Sequence, residues 1–295
     1  MKLKNNVQEN ISGWLFVLPG LIVLAVFWIW PVIDSVYLSF TDWDMIKPSY
    51  RMVGFRNYTS LLTSSTFHQA LKNTFVFAAG VTIPTLMLGF IIAVIMSQAS
   101  KGIGLYRTIM FAPYITPMVA ASIVWSWIYE PRVGILNMLL NGIGLPGSKW
   151  NQSMSTAMFS VILVTIWKQA GYTMVFYLEG IRKVPKRLLE AAEIDGATPL
   201  QRLIHIVLPM VSPTTFFLVI MSTIATMQAY DQIQVLTQGG PAGATRTVLY
   251  YYYQEAFSKF NTGKASAIAL FLVLITVALS LLETAVSSKM VHYDR

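Results

Sequence analysis

Residues 190–209 read EAAEIDGATPLQRLIHIVLP, a charged segment between two apolar stretches that are each long enough to cross a membrane. Its first part places apolar residues at helical spacing, and Gly196 follows as a stop signal. Thr198 suits an N-cap, Pro199 suits the first helical position, and Gln201 stands three residues after Thr198, which predicts a capping box. The segment therefore predicts two short helices at a sharp angle. From the residues alone it is either a solvated connector between two spans or a contact surface for a partner.

Composition places this segment in a membrane protein. Of 295 residues, 55% are hydrophobic and 12% are charged, and the mean hydropathy of +0.57 is too high for a soluble domain of this length. Runs of about 20 residues with almost no charge are typical of membrane helices, and alternating apolar strands are missing from the sequence. The prediction is an all-α integral membrane protein with six transmembrane helices in one domain over residues 1–295. The predicted spans are 14–36, 73–98, 108–129, 154–178, 206–229 and 265–287, with a loop at 182–205 between the fourth and fifth.

The basic residues bear on orientation and on partners. The net charge is +8, and the four basic residues between Arg182 and Arg187 favour a cytosolic loop there, together with Lys101 and Arg295 on the same side. This places both termini in the cytosol, with the first span uncleaved because it is too long for a signal peptide. The basic residues are scattered over loops without interleaved aromatic residues, so anionic membrane lipid is the expected partner and nucleic acid is not.

The sequence contains few groups that could perform catalysis. It has no cysteine, and His68, His205 and His292 lack the spacing of metal ligands, so we predict no catalytic residue, no metal and no cofactor in this chain. No glycine-rich loop ends in Lys-Ser or Lys-Thr, so any energy from ATP has to come through a separate polypeptide.

Two features inside the spans are candidates for function. Lys168 is the one ionisable residue well inside a predicted span, where it could contact a substrate or pair with a neighbouring group. Proline pairs in the third and fifth spans, at positions 113 and 117 and at positions 209 and 213, predict kinks. Such kinks either line a pathway or adapt the packing of the helices.

The charged segment resembles the EAA motif of binding-protein-dependent ABC importer permeases. The matching positions are Glu190, Ala191, Ala192, Gly196, Ile206, Leu208 and Pro209, without a departure from the motif. The resemblance extends to the carbohydrate-type permeases, the maltose and glycerol-3-phosphate permease family, through residues 18–44, VGFRNYTSLL at 53–62, YRTIMFAPYITP at 106–117 and the stretch 230–257 with its TQGGP at 237–241. The chain departs from the maltose protein in lacking its extra spans and large insertion.

The resemblance implies the type I permease fold and a transport subunit rather than an enzyme. It implies a second permease subunit as a heterodimer partner, two ATPase subunits that bind ATP and Mg²⁺, and an extracytosolic solute-binding protein, all at a bacterial or archaeal inner membrane. The motif loop would lie in the cytosol, and ATPase coupling would fall to Glu190, Ala191, Ala192, Asp195 and Gly196. A substrate path is implied along Tyr114, Met118, Thr165, Lys168, Tyr172, Ser222, Thr226 and Gln228.

The solute that these residues suit is a mono- or oligosaccharide, because aromatic rings stack on sugar faces while hydroxyl and amide groups bind sugar hydroxyls. The cation at Lys168 leaves open a glycerol-phosphate or another anionic polyol or sugar acid. An ion-coupled secondary transporter is a further alternative, although buried carboxylates for an ion relay are not visible in the spans.

Overall fold

The computed structural model describes residues 2–98 and 102–290, and side chains within 13–98 and 102–286. Three residues named above, Lys101, His292 and Arg295, lie outside the described residues. The chain forms two compact units: one contains residues up to Thr63 together with Tyr252–Phe271, and the other contains Ser64–Tyr251 together with residues from Leu272 onward.

The described residues are helical almost throughout, and their only strand-like pairing is an isolated antiparallel bridge between Thr41 and Met52. The α-helices are α1 (Lys2–Leu24), α2 (Trp30–Leu38), α3 (Arg56–Leu62), α4 (Ser65–Ser97), α5 (Ile103–Ile115), α6 (Met118–Ile128), α7 (Ile135–Gly142), α8 (Ala157–Arg182), α9 (Lys186–Ile194), α10 (Pro199–Arg202), α11 (Leu208–Met210), α12 (Ser212–Met227), α13 (Asp231–Leu236), α14 (Val248–Tyr253) and α15 (Thr262–Met290). Short π-helical turns join α1 to α2 at Ala25–Ile29 and α10 to α11 at Leu203–Val207, and a third follows α14 at Gln254–Ser258.

Among the described residues, four helices are long and apolar enough to cross a membrane on their own: Gly13–Leu38, Ser65–Ser97, Ala157–Arg182 and Thr262–Val286. Two further pairs meet the same test only when each pair is counted as one bent span, Ile103–Ile115 with Met118–Ile128 and Pro199–Met210 with Ser212–Met227. Counting each bent pair as one span gives the six that the sequence predicts.

The second span begins earlier than the prediction of residue 73. Lys72 ends the charge-free run but not the helix, which continues back to Ser65. Ser64 is its N-cap, and the Ser64 side chain accepts a hydrogen bond from the backbone N–H of Phe67.

The third and fifth spans are broken rather than kinked. Their two halves meet at 95° and 63° respectively. In the third span, Thr116 and Pro117 are extended, with ψ of 133° and 135°, because the ring of a proline pushes the preceding residue out of the helical region. In the fifth span the break falls at Val211, between the two predicted prolines. The second helix of the charged loop is thus continuous with the first half of the fifth span.

The second unit contains the candidate site and two buried apolar clusters. Helix α4 packs along α8, which also packs against α5, while α12 packs on α4 and α13 on α6. One cluster includes Phe77, Val161 and Ile233, and the other includes Ala93, Met174 and Leu218. Helices α4 and α8 both contribute to the two clusters, so this pair of helices forms the centre of the unit.

The first unit is held by close backbone contacts. The Asn57 side chain donates hydrogen bonds to the carbonyl oxygens of Ser39 and Thr41, both at 2.8 Å. A Cβ on Gly263 would lie 2.0 Å from the Thr41 oxygen, so only glycine allows this approach.

Candidate functional site

The loop between α8 and the fifth span has the cap structure that its sequence predicts. Helix α9 ends with Asp195 as C-cap, and Gly196 follows with φ of +80°, a left-handed conformation that favours glycine. The N–H of Gly196 donates to the carbonyl of Glu193 at 3.0 Å, and the N–H of Ala197 donates to that of Ala192 at 2.8 Å. These two bonds form a Schellman motif, which fixes where the chain turns after α9.

The predicted capping box is confirmed at the start of α10. The backbone N–H of Gln201 donates to the hydroxyl of Thr198 at 3.3 Å, and the backbone N–H of Thr198 donates to Oε1 of Gln201 at 2.7 Å. An ion pair of 2.6 Å between Arg202 and Glu193 joins α10 back to α9. The loop is therefore a folded pair of capped helices and not an unstructured connector.

This element presents an apolar and acidic surface outward. We define the coupling surface by Glu190, Ala191, Ala192, Ile194, Asp195 and Gly196. All of them are exposed except the half-buried Ala192, and Ile194 is 86% exposed. Leu200 on α10 adds a further exposed apolar side chain. Large exposed apolar side chains beside acidic ones are typical of a protein contact site.

Four of the predicted path residues line one cavity of about 220 Å³, which we call the upper cavity. They are Met118, Thr165, Lys168 and Gln228. The remaining lining residues are Gln169, Ala225, Ala229, Tyr230, Asp231 and Gln232. The cavity is thus rich in amide groups, which bind hydroxyl groups as both donors and acceptors.

Three other predicted residues line a smaller cavity of about 90 Å³, which we call the lower cavity. They are Tyr114, Tyr172 and Ser222, and the two tyrosine rings are stacked with centroids 4.6 Å apart. The hydroxyl of Ser222 is 2.9 Å from that of Thr82. Gln169 lines both cavities and connects the two groups of residues.

Lys168 projects from the middle of α8 to the break in the third span. Its Nζ donates to the carbonyl oxygen of Pro113 at 3.2 Å, to that of Tyr114 at 3.0 Å and to that of Thr116. The ammonium also lies 5.8 Å from the centre of the Tyr114 ring. Of the two roles that the sequence leaves open, the structure favours pairing with neighbouring groups.

Thr226 differs from the other predicted path residues in that it does not line a cavity. It is 1% exposed and lines neither cavity, and its hydroxyl donates to the carbonyls of Ser222 and Thr223, both at 2.9 Å. Helical spacing does place it on the face of Ser222, but that face turns inward at its position. Thr165 is also buried, although it borders the upper cavity.

Several residues of the two cavities are missing from the sequence prediction. Asp231 and Gln232 follow the fifth span and begin α13, and Gln169 neighbours Lys168. A scan for polar residues within four positions of the predicted ones would have found all three. Outside the cavities, Oε1 of Glu283 accepts a hydrogen bond of 2.7 Å from the hydroxyl of Thr223, so this carboxylate pairs with another span.

The match to a protein family agrees with this geometry. Residues 74–292 match the model of the family described as the binding-protein-dependent transport system inner membrane component. The chain belongs to this family. It is an inner-membrane permease component of an ABC transporter and a transport subunit rather than an enzyme.

Relatives match along nearly the whole chain. The probable ABC transporter permease protein YurN of Bacillus subtilis is 34% identical over 94% of this chain and 96% of its own length. The sn-glycerol-3-phosphate transport system permease protein UgpA of Agrobacterium fabrum is 32% identical over 97% of both. In fold, the chain is similar to one chain of the crystal structure of a bacterial ABC transporter that imports the acidic polysaccharide alginate. The TM-score is 0.85 at 21% identity, over 99% of this chain and 100% of that chain.

Proposed function

We propose that this chain forms one half of the translocation path of an ATP-driven importer for a sugar or sugar-like solute. The observation that carries the proposal is the exposure of polar groups at membrane depth: Tyr114 is 40% exposed within α5, and Gln169 is half-buried within α8. Hydrocarbon cannot satisfy such groups, so a second protein wall and water have to face them. A second, different permease subunit provides that wall.

The lining residues favour a polyhydroxylated solute. The stacked pair of Tyr114 and Tyr172 offers aromatic faces, while Gln169 and Gln228 offer amide donors and acceptors. Together these groups match the apolar faces and hydroxyl edges of a sugar. Delivery of the solute falls to an extracytosolic binding protein, in line with the related alginate transporter, whose structure includes a pentasaccharide-bound periplasmic protein.

An anionic solute is the second candidate. UgpA is named for transport of sn-glycerol-3-phosphate, and the structural neighbour imports an acidic polysaccharide. Competition for uptake by the whole importer separates the two candidates. If the natural solute is neutral, a neutral disaccharide should reduce its uptake. If the natural solute is anionic, sn-glycerol-3-phosphate should reduce its uptake instead.

The coupling surface is where two ATPase subunits, one on each permease, transmit the work of ATP hydrolysis. ATP and Mg²⁺ are held by those subunits and not by this chain. Glu190 and Asp195 supply charge, the small side chains of Ala191 and Ala192 allow close approach, and Gly196 sets the turn. Closure of the ATPases then moves the spans as rigid bodies between outward-open and inward-open states. The coupling surface lies in the cytosol in this arrangement, as do both termini.

Affinity purification from mild detergent tests the proposal. The tagged chain is compared with its Gly196→Ala and Gly196→Trp variants, and co-purifying proteins are identified by mass. Both substitutions strain a backbone with φ of +80°, and a Cβ there meets nothing within 4 Å in this chain. The alanine variant therefore controls for the backbone strain that both variants share, and the tryptophan variant adds the bulk of a large side chain.

We expect the wild type to retain a P-loop ATPase and a second permease, the alanine variant to retain most of both, and the tryptophan variant to lose the ATPase alone. A wild-type chain that purifies alone or as a homo-oligomer would refute the importer assembly. Equal retention of the ATPase by both variants would show that the ATPase does not dock at Gly196.

A further inference from the structure

The break in the third span leaves backbone carbonyls without their helical partners. Pro117 has no N–H, so it cannot donate to the carbonyl of Pro113, four residues earlier. Because Thr116 is extended, the helix also ends before residue 118 could bond to Tyr114. Unpaired carbonyls within a membrane are costly, so this break requires donors from elsewhere in the protein.

Lys168 supplies those donors from the facing helix. An ammonium has three N–H groups and no acceptor, and the three carbonyl oxygens of Pro113, Tyr114 and Thr116 take all three. These carbonyls form the C-terminal end of α5, where the helix dipole concentrates negative charge and favours a cation. The donor count and the electrostatics therefore agree.

We propose that Lys168 is a positioning residue that caps the break in the third span and holds its two halves at 95°, and that it is not a ligand of the solute. One consequence rests on the proposed function: because the three donors of Lys168 bind backbone carbonyls, none of them is available to bind the solute. A solute in the upper cavity then meets amide groups and the carboxylate of Asp231, which suits uncharged hydroxyls better than phosphate or uronate groups.

Spin-label distances across the break measure the bend directly. The natural sequence has no cysteine, so cysteines can be placed singly at Leu105 on α5 and Trp127 on α6, which are 67% and 71% exposed. At 1.5 Å per residue, a bend of 95° puts their Cα atoms about 22 Å apart, against about 33 Å for a continuous helix. The two conformations differ by roughly 11 Å, well within the reach of pulsed electron spin resonance.

The measurement uses the full chain purified with its partner subunits. We expect Lys168→Met to broaden the distance distribution and shift it toward the longer value. Lys168→Gln, which keeps two N–H donors, should lie between the methionine variant and the wild type. Lys72→Met, at an exposed lysine of α4, is the matched control and should leave the distribution unchanged.

Pro117→Ala provides the second test, because an alanine restores the N–H that can bond to the Pro113 carbonyl. The shift caused by Lys168→Met should be smaller in the Pro117→Ala background than in the wild type, since the two changes act on the same carbonyls. If Lys168→Met does not assemble, Lys168→Gln is compared in both backgrounds instead.

A wild-type distance distribution in Lys168→Met, or equal shifts in the two backgrounds, would overturn the proposal. Neither outcome depends on transport. A failure of this proposal is therefore distinct from a failure of the importer assembly, which the purification of partners tests by itself.

Discussion

Gly171 on α8 lies where the backbone of α8 packs directly against the backbone of α5. A Cβ at this position would be 1.9 Å from the carbonyl oxygen of Met110, 2.7 Å from its carbonyl carbon and 3.0 Å from the Cα of Phe111. All three atoms belong to the backbone, so no side chain can rotate away. Small residues at such crossings let membrane helices pack closely.

The variant Gly171→Ala therefore has to separate the two helices. A relaxed contact between Cβ and a carbonyl oxygen needs about 3.2 Å or more, which requires an opening of roughly 1.3 Å along that contact. Overpacking of this kind costs about 1–3 kcal/mol, and we expect the upper end because only backbone is available to move. The opening would also disturb the stacked rings of Tyr114 and Tyr172.

The assay is the thermal stability of the detergent-purified chain, followed by size-exclusion chromatography after heating. A loss of about 3 kcal/mol corresponds to a decrease of roughly 5–10 °C in Tm. Gly104→Ala is the matched control on α5, because a Cβ there meets nothing within 4 Å, and it should stabilise the helix by about 0.5–1 kcal/mol. If Gly171→Ala is as stable as Gly104→Ala, the backbones of α5 and α8 are not in contact at Gly171 and the reasoning is refuted.

Three further substitutions test local structure by the same assay. Thr198→Ala removes the hydroxyl of the capping box with Gln201 and should cost about 1 kcal/mol; an unchanged Tm would mean that the box contributes nothing. Thr223→Val removes the donor to the Glu283 carboxylate, whose Oε2 is already buried without a hydrogen-bond partner among the described residues. The change should lower the free energy of unfolding by about 1.5–3 kcal/mol, whereas Thr223→Ser, which keeps the hydroxyl, should be nearly neutral. Asn137→Leu should lower the Tm more than either, because the Asn137 side chain on α7 makes four hydrogen bonds of 2.7–3.0 Å to Pro131, Ser148 and Trp150. A smaller effect than that of Thr198→Ala would contradict this.

Local signals in the sequence predicted the loop well. The stop at Gly196 and the box of Thr198 and Gln201 depend on contacts within a few residues, and each is confirmed at its predicted position. The number of spans was likewise predictable, because a membrane requires long apolar runs. The start of the second span at Ser65 was not, since charge ends an apolar run without ending a helix.

Features that depend on distant contacts were not predictable. The partners of Lys168 lie 52–55 residues away in the chain, so nothing in its neighbourhood indicates that its donors are used. Thr226 shows the same limit in another form. A period of 3.6 residues relates it to Ser222 but does not say which way the shared face turns, and only the packing of α12 decides this.

The connection between α8 and α9 has a mechanical consequence. Three residues separate Arg182, where α8 ends, from Lys186, where α9 begins, and the middle one, Val184, is only 5% exposed. A short connection with a buried middle residue leaves little freedom between the two helices, so α8 has to move when α9 moves. The backbone contact at Gly171 couples α8 to α5 in the same way. A movement of α9 therefore shifts both helices together and, with them, the stacked rings of Tyr114 and Tyr172 beside that contact.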